Sequence, residues 1–466
     1  MNASRALAEL AIETSDSDLG EAADTATRHL ILDTLATAIA GWQAPGIPSV
    51  LHSIERWGGA PETTVWTYGG QLPAPNAAFA NSCMVHALDY DDVHHETSLH
   101  LMSSLLPATL AVAEMRHLSG RALMTAVALG IEVAVRIGLI AKAQGMSFGY
   151  LPSSTIGVLG VTAACCRLLD LDVEQTINAL GVAYAQSSGN RQALLDFTLT
   201  KRIQPAFAAR SALWASFLAA DGITGPHRAL EGEAGFFKLY VGCEPPDASQ
   251  LAGFRDRWEV ERMSIKRYPA CGAIAPSTQA AIELATEQDL HLRDISEVYL
   301  DLGHSDNWFA GHPWKLGKNP QVDAQFSARY GVALGLVRRR AGLGEFTADS
   351  VLDDHQVAGI ASRVQIRVIP NTEGLRTDQV HVTVTVVTRD GRKLARSTQL
   401  VKGDWRDPFS FDELVEKFRG CAEFSEVWPM EQASAIVDAV STLETMPDVS
   451  VLAQDLLVVQ DVSLLS

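Results

Sequence analysis

The sequence predicts a mainly α protein: a large all-helical domain with a smaller α+β lid domain inserted before the C-terminal helices. Three observations carry this. Helical periodicity runs almost unbroken to about residue 265, β-branched alternating segments then appear, and helical periodicity returns at the end. The predicted boundaries are 1–267 with 405–466 for the helical domain, and 268–404 for the lid.

In chain order, "TATRHLILDTLATAIAG" has apolar residues at helical spacing and ends at Gly41, a C-cap candidate. "LPATLAVAEMRHLSG", "STIGVLGVTAACCRLLD", "VEQTINALGVAYAQSSG" and "PAFAARSALWASFLAADG" repeat the pattern. Their many Ala and Gly positions predict helices that approach closely. "ISEVYLDLG" (295–303), "RVQIRVIP" (363–370), "VHVTVTVVTRD" (380–390) and "RKLARSTQLV" (392–401) read as strands. The last two meet at "RDGR", a predicted hairpin. "AQFSARYGVALGLVRRRAG" is a helix between strands. "SFDELVEKFRGCAEF" resumes the helical pattern, with Ser410 and Glu413 spaced as a capping box.

At 466 residues the chain has ample length for a large core, and a formal charge of −18 argues against nucleic acid or an anionic membrane as partner. A small anionic substrate needs only a local basic pocket. Six cysteines without a CxxC spacing disfavour a disulfide framework or structural zinc and fit a reducing compartment. The longest apolar stretch, "ALMTAVALGIEVAVRIGLIAKA", carries Glu132 and Arg136 centrally, which favours a buried helix over a membrane span. The acidic N-terminus lacks a signal-peptide apolar run, so a cytoplasmic location is expected.

The densest polar stretch is "HALDYDDVHHETSLH" (86–100), a candidate for metal binding, proton transfer or simple loop capping. A helix would put His86, Asp89 and Asp92 on one face, with His94, His95 and His100 following in a loop. No HExxH or EF-hand spacing is present. "TLTKRIQPAFAARSA" (198–212) and "MSIKRYPACGAIAPS" (263–277) each place a Lys-Arg pair before a proline turn and a small-residue helix. Lys201, Arg202, Lys266 and Arg267 could thus cradle carboxylates, though exposed dibasic turns are common. "SFGYLPSSTIGVLG" (147–160) offers Tyr150 and the hydroxyls of Ser153, Ser154 and Thr155, most simply helix N-caps, with a carboxylate pocket as the alternative. Cys271 follows two cations that could activate it, although packing is its default role. No dinucleotide, P-loop or nucleophile-elbow pattern occurs.

"HALDYDD" with its downstream histidine, "PSSTIGVLG", "TKRIQPAFAARSA", "GITGPHRALEGEAGFF", "IKRYPACG" and "FSARYGVALGL" follow one another in an order that resembles the MmgE/PrpD family across nearly the whole chain. That family includes 2-methylcitrate dehydratase, cis-aconitate decarboxylase and iminodisuccinate epimerase. The resemblance implies a helical domain with an α+β lid, a homodimer, no required metal or redox cofactor, and small di- or tricarboxylate substrates. It matches Asp89 to an active-site aspartate, His100 to the histidine downstream, Lys201 to the lysine of the "T-K" turn, and Lys266 to the lysine before the aromatic-proline pair. Tyr330 falls where some members have an active-site tyrosine.

The departures from the family pattern shape the functional expectation. Members that dehydrate or decarboxylate usually have a histidine before Pro152, where this chain has Leu151; Leu101 and Met102 stand where Pro-Ser is common, Val93 replaces a threonine, and Gln204 replaces a frequent histidine. Losing a general acid disfavours expulsion of water. The leading expectation is therefore an epimerase at the α-carbon of a dicarboxylate such as iminodisuccinate. His100 and Lys201 are its acid/base candidates, with Tyr150 assisting. Lys266, Arg202 and Arg267 are expected on carboxylates, Ser154, Cys271 and Tyr330 as further substrate contacts, and Asp89 orienting His100 or Lys201. The alternatives are a 2-methylcitrate dehydratase or related hydro-lyase and, from another class, a silent binding protein using the opening segment for metal.

Overall fold

The computed structural model describes residues 2–252, 257–459 and 462. The chain forms two compact units. One comprises Met1–Ala193, Thr200–Met263 and Ser410–Ser466, and the other Leu194–Leu199 with Ser264–Phe409.

The first unit is a stack of helices held by small-residue contacts. Helix Gly20–Gly41 crosses helix Ala74–His86 so closely that a Cβ on Gly41 would lie 2.1 Å from the Met84 carbonyl oxygen. Gly41 thus serves close approach; the helix runs on into Trp42 in the right-handed region, so the expected left-handed cap is absent. A Cβ on Gly160, in helix Gly157–Leu168, would lie 2.4 Å from the Gly130 carbonyl oxygen. Gly130 belongs to helix Gly120–Ala143, the one helix among the described residues long and apolar enough to cross a membrane.

That helix is a core element: 89% of its most apolar window is buried in the fold. Its two central charges neutralise each other, Arg136 donating to Glu132 Oε1 at 2.7 Å through Nε. The other Glu132 oxygen accepts the Glu259 N–H at 2.8 Å, so the buried carboxylate is satisfied twice. Burial still pushes the Glu132 carboxyl up, against the pull of Arg136. The first unit also holds a small antiparallel ribbon, β1 (Thr63–Thr64) with β2 (Gln71–Leu72).

The second unit is built on a four-stranded sheet of β3 (Ile295–Leu302), β4 (Val364–Val368), β5 (Val382–Thr388) and β6 (Lys393–Thr398). Strand order is β4-β3-β5-β6, with β3 and β4 parallel and the other pairs antiparallel. Parallel pairing demands a crossover, which the helices between residues 304 and 361 supply. Alternation in β5 buries Val382, Val384 and Val386. The β5–β6 hairpin closes where Gly391, at φ +88°, allows the tight turn and the Thr388 N–H donates to the Arg392 carbonyl. Helices Ala275–Glu287 and Ala328–Arg338 pack together through Gly335, whose added Cβ would lie 2.7 Å from Ala281 Cβ. The expected helix at 324–342 is interrupted at Phe326, and Ser327 caps the continuing helix by accepting the Tyr330 N–H.

Candidate active site

Helix Ala74–His86 ends where the polar segment begins, and the chain turns sharply at Asp89, which adopts φ +52°. A left-handed non-glycine residue is uncommon and costs energy, although aspartate tolerates it better than most. This geometry replaces the expected continuous helix face. Asp89, Asp91 and Asp92 lie beyond the helix and point to different partners.

The turn brings Asp89 to Lys201, which sits in the first turn of helix Thr200–Ala220 and is only 8% exposed. Lys201 Nζ donates to Asp89 Oδ1 and, at 2.9 Å, to His86 Nε2. His86 Nδ1 lies 2.7 Å from Asp91 Oδ2, so Nδ1 carries the proton and Nε2 is the acceptor. The result is a buried chain, Asp91–His86–Lys201–Asp89. Desolvation and the Lys201 charge push the His86 imidazole below its ordinary value, against the pull of Asp91, and hold it neutral. In this arrangement Lys201 is poised as a proton donor.

Arg202 is buried beside the same turn and donates to the Pro45 carbonyl at 3.1 Å. Burial pushes its guanidinium down to about 10, with Asp89 opposing the shift.

His100 is oriented by the backbone of Asp92, while Asp89, expected on His100 or Lys201, meets Lys201. The His100 Nδ1 lies 2.7 Å from the Asp92 carbonyl oxygen, which can only accept, so Nε2 of the neutral ring is the basic nitrogen. The His100 N–H donates to Ser153 Oγ at 2.9 Å, and the ring lies 5.6 Å, centroid to centroid, from that of His86. The Asp92 carboxyl accepts from the Leu101 and Met102 N–H groups at 3.1 and 3.2 Å, at the start of helix Met102–Met115. Burial and then Asp91 push that carboxyl well above the usual carboxylate range.

The hydroxyls at 153–155 do not act as the expected N-caps. Helices Pro152–Thr155 and Gly157–Leu168 begin without a side-chain cap. Ser153 holds His100, Thr155 Oγ1 donates to the Leu151 carbonyl, and Ser154 Oγ is buried with no hydrogen-bond partner among the described residues. Leu151 is buried, and the Tyr150 ring is half-buried, 5.3 Å from that of Tyr240. Gln204 clasps the 189–191 loop, accepting the Asn190 N–H and donating to its carbonyl, both at 2.9 Å.

The remaining polar groups of the opening segment shape its loop. His94 Nδ1 meets Thr97 Oγ1 at 2.9 Å while its Nε2 faces Glu259 at 3.4 Å, and Glu96 pairs with Arg262. Among the described residues no three His, Cys, Asp or Glu side chains gather as a metal-ligand set.

The second unit carries the other sequence candidates. Lys266 is buried on a segment tied to residues 403–405, with the Ile265 N–H on the Gly403 carbonyl at 2.8 Å and Ser264 Oγ accepting the Trp405 N–H at 3.0 Å. Arg267 is exposed, its guanidinium 5.9 Å from the Tyr268 ring centre. Cys271 is half-buried, and its backbone N–H donates to the Gln325 carbonyl at 2.9 Å. Tyr330 departs from its expected role. Its ring is buried in the core against Trp314 and Phe346, and its hydroxyl donates to the Glu345 carbonyl at 2.9 Å. Burial pushes that phenol up, as befits a packing residue.

Three residues that the sequence reading offered only as capping or loop-shaping neighbours meet the candidate catalytic groups: His86, Asp91 and Asp92. All lie in the quoted segment, and the signal was its density of ionisable side chains inside an apolar surround.

Comparison with known proteins finds relatives along nearly the whole chain. The chain is 26% identical over 438 residues to cis-aconitate decarboxylase of Homo sapiens, covering 91% of this chain and 88% of the relative. It is 27% identical over 468 residues to cis-aconitate decarboxylase of Aspergillus terreus, covering 96% and 93% respectively. The MmgE/PrpD N-terminal domain matches residues 5–249 and the MmgE/PrpD C-terminal domain residues 268–445, and the chain therefore belongs to the MmgE/PrpD family.

Proposed function

We propose that the protein is a lyase for small polycarboxylates, removing a carboxylate as CO2 from a substrate of the cis-aconitate kind. The observation that carries this is the buried Lys201 ammonium, held as a donor between Asp89 and His86. Decarboxylation breaks one C–C bond, releases neutral CO2 and leaves the electron pair conjugated with a neighbouring carboxylate. The pair must then be quenched by a proton, which Lys201 Nζ supplies as the new C–H bond forms; water returns the proton to the amine. No oxygen leaving group has to be protonated, so Leu151 in place of an imidazole is no obstacle.

Epimerisation is the second reading, and Leu151 favours it. His100 Nε2 as base and Lys201 as acid are sufficient for removing and returning one proton, as in an iminodisuccinate epimerase. A hydro-lyase acting on 2-methylcitrate is less favoured, since it must protonate a departing hydroxyl. In each reading Arg202, beside the Lys201 turn, is a carboxylate contact, and Arg202→Ala raises KM more than it lowers kcat. A cytoplasmic homodimer without a required metal or redox cofactor completes the proposal.

The test is incubation of the purified protein in D2O with cis-aconitate and, separately, with an amino- or imino-dicarboxylate. Stoichiometric CO2 with one deuterium in the product supports decarboxylation. Exchange of an α-hydrogen in an amino- or imino-dicarboxylate, with no CO2 and no change in unsaturation, overturns it in favour of the epimerase.

A further inference from the structure

A cation from the C-terminal segment lies behind the strained turn. Helix Phe411–Ser425 starts at the Ser410–Glu413 capping box and inserts Lys417 into the first unit, with its side chain only 5% exposed. Lys417 Nζ is engaged there by side chain, backbone and ring. It pairs with Asp33 Oδ1 at 2.6 Å, donates to the Tyr90 carbonyl at 3.2 Å, and lies 3.7 Å from the centre of the Tyr90 ring. Asp33 is itself buried within helix Gly20–Gly41.

Tyr90 stands between the two ends of the buried chain: Asp89, at φ +52°, reaches Lys201, and Asp91 reaches His86. A left-handed aspartate persists only where its surroundings over-determine it. Gripping the Tyr90 peptide and ring fixes the peptide that links both aspartates. Nothing in the mechanism uses Lys417.

We propose that Lys417 is a positioning residue for the catalytic turn, holding residues 89–91 so that Asp89 and Asp91 meet Lys201 and His86. The C-terminal helix is thereby a working support of the active site. Reaction at this site rests on the lyase reading; the clamp itself does not.

The experiment compares wild type, Lys417→Met, and the double variant Asp33→Leu/Lys417→Met, which removes both buried charges while keeping apolar volume. Amide hydrogen exchange of residues 86–92 reports the turn without any substrate. Both variants are expected to exchange faster there. With cis-aconitate, kcat is expected to fall roughly 10- to 100-fold with KM nearly unchanged, the scale set by small misplacement of a catalytic group. The double variant should recover thermal stability but neither kcat nor protection of the turn. Recovery of kcat and protection in the double variant would mean that Lys417 serves only to neutralise Asp33, and the proposal falls. Unaltered exchange in both variants also overturns it. Faster exchange in a protein whose wild type has no activity on carboxylates upholds the clamp and discards the lyase reading instead.

Discussion

Lys201 is the residue whose chemistry depends most on its neighbours. Replacement by alanine removes the donor and leaves the Asp89 carboxylate buried without that cation; kcat is expected to fall about 10²- to 10⁴-fold, measured as CO2 release. His86 supplies a pH signature. Its folded value lies below the ordinary 6.5, so the folded state binds fewer protons than the unfolded chain just below that pH. Stability therefore falls as pH drops from about 6.5 towards the depressed value, and His86→Gln should flatten that part of a plot of Tm against pH. An unchanged slope would place the titration elsewhere. Asp89, His100 and Lys201 could be picked from the sequence because the resemblance to the MmgE/PrpD pattern matches them to active-site positions. The role of His86 could not, because it depends on the left-handed turn at Asp89, which no side-chain spacing announces. The same turn explains why the helix-face argument for Asp89 and Asp92 fails: the helix has already ended at His86.

Elements were legible where one local rule dominates. Period-two alternation located β3 to β6, a Gly in a four-residue turn located the hairpin, and Ser410 with Glu413 located a helix start. Local rules misled where tertiary contacts outbid them. The Ser153 hydroxyl resembles a cap in sequence yet is taken by His100, and Gly41 resembles a C-cap yet is needed for close packing. The second case is testable. In Gly41→Ala the new methyl meets the Met84 carbonyl, so helices Gly20–Gly41 and Ala74–His86 must separate. Overpacking of this kind costs about 1–3 kcal/mol. A lowered Tm is expected, accompanied by reduced kcat because His86 ends the displaced helix. A Tm equal to wild type would show that the crossing can yield without cost.

At the scale of the molecule, the sequence placed a change of character at 268 and 405, while the compact units of the structure divide at 263/264 and 409/410. Residues 194–199 group with the second unit, an excursion invisible to periodicity because it is made by contacts distant in sequence, such as Asn319 Nδ2 on the Phe197 carbonyl. Composition carries a different kind of information, since a formal charge of −18 describes the field that an incoming ligand meets. A di- or tricarboxylate is repelled at long range, whereas the cations expected to bind it act only at short range. Salt shortens the reach of that repulsion, from roughly 30 Å at 0.01 M ionic strength to about 8 Å at 0.15 M. Over that interval kcat/KM for an anionic substrate is therefore expected to rise severalfold, through KM, with kcat little altered because the buried Lys201–Asp89 pair is poorly screened. Titrating NaCl at fixed pH checks this, with a neutral osmolyte as control for viscosity and water activity. If kcat/KM falls with salt, attraction by local cations governs the encounter and the acidic surface is too far from the path of entry to matter.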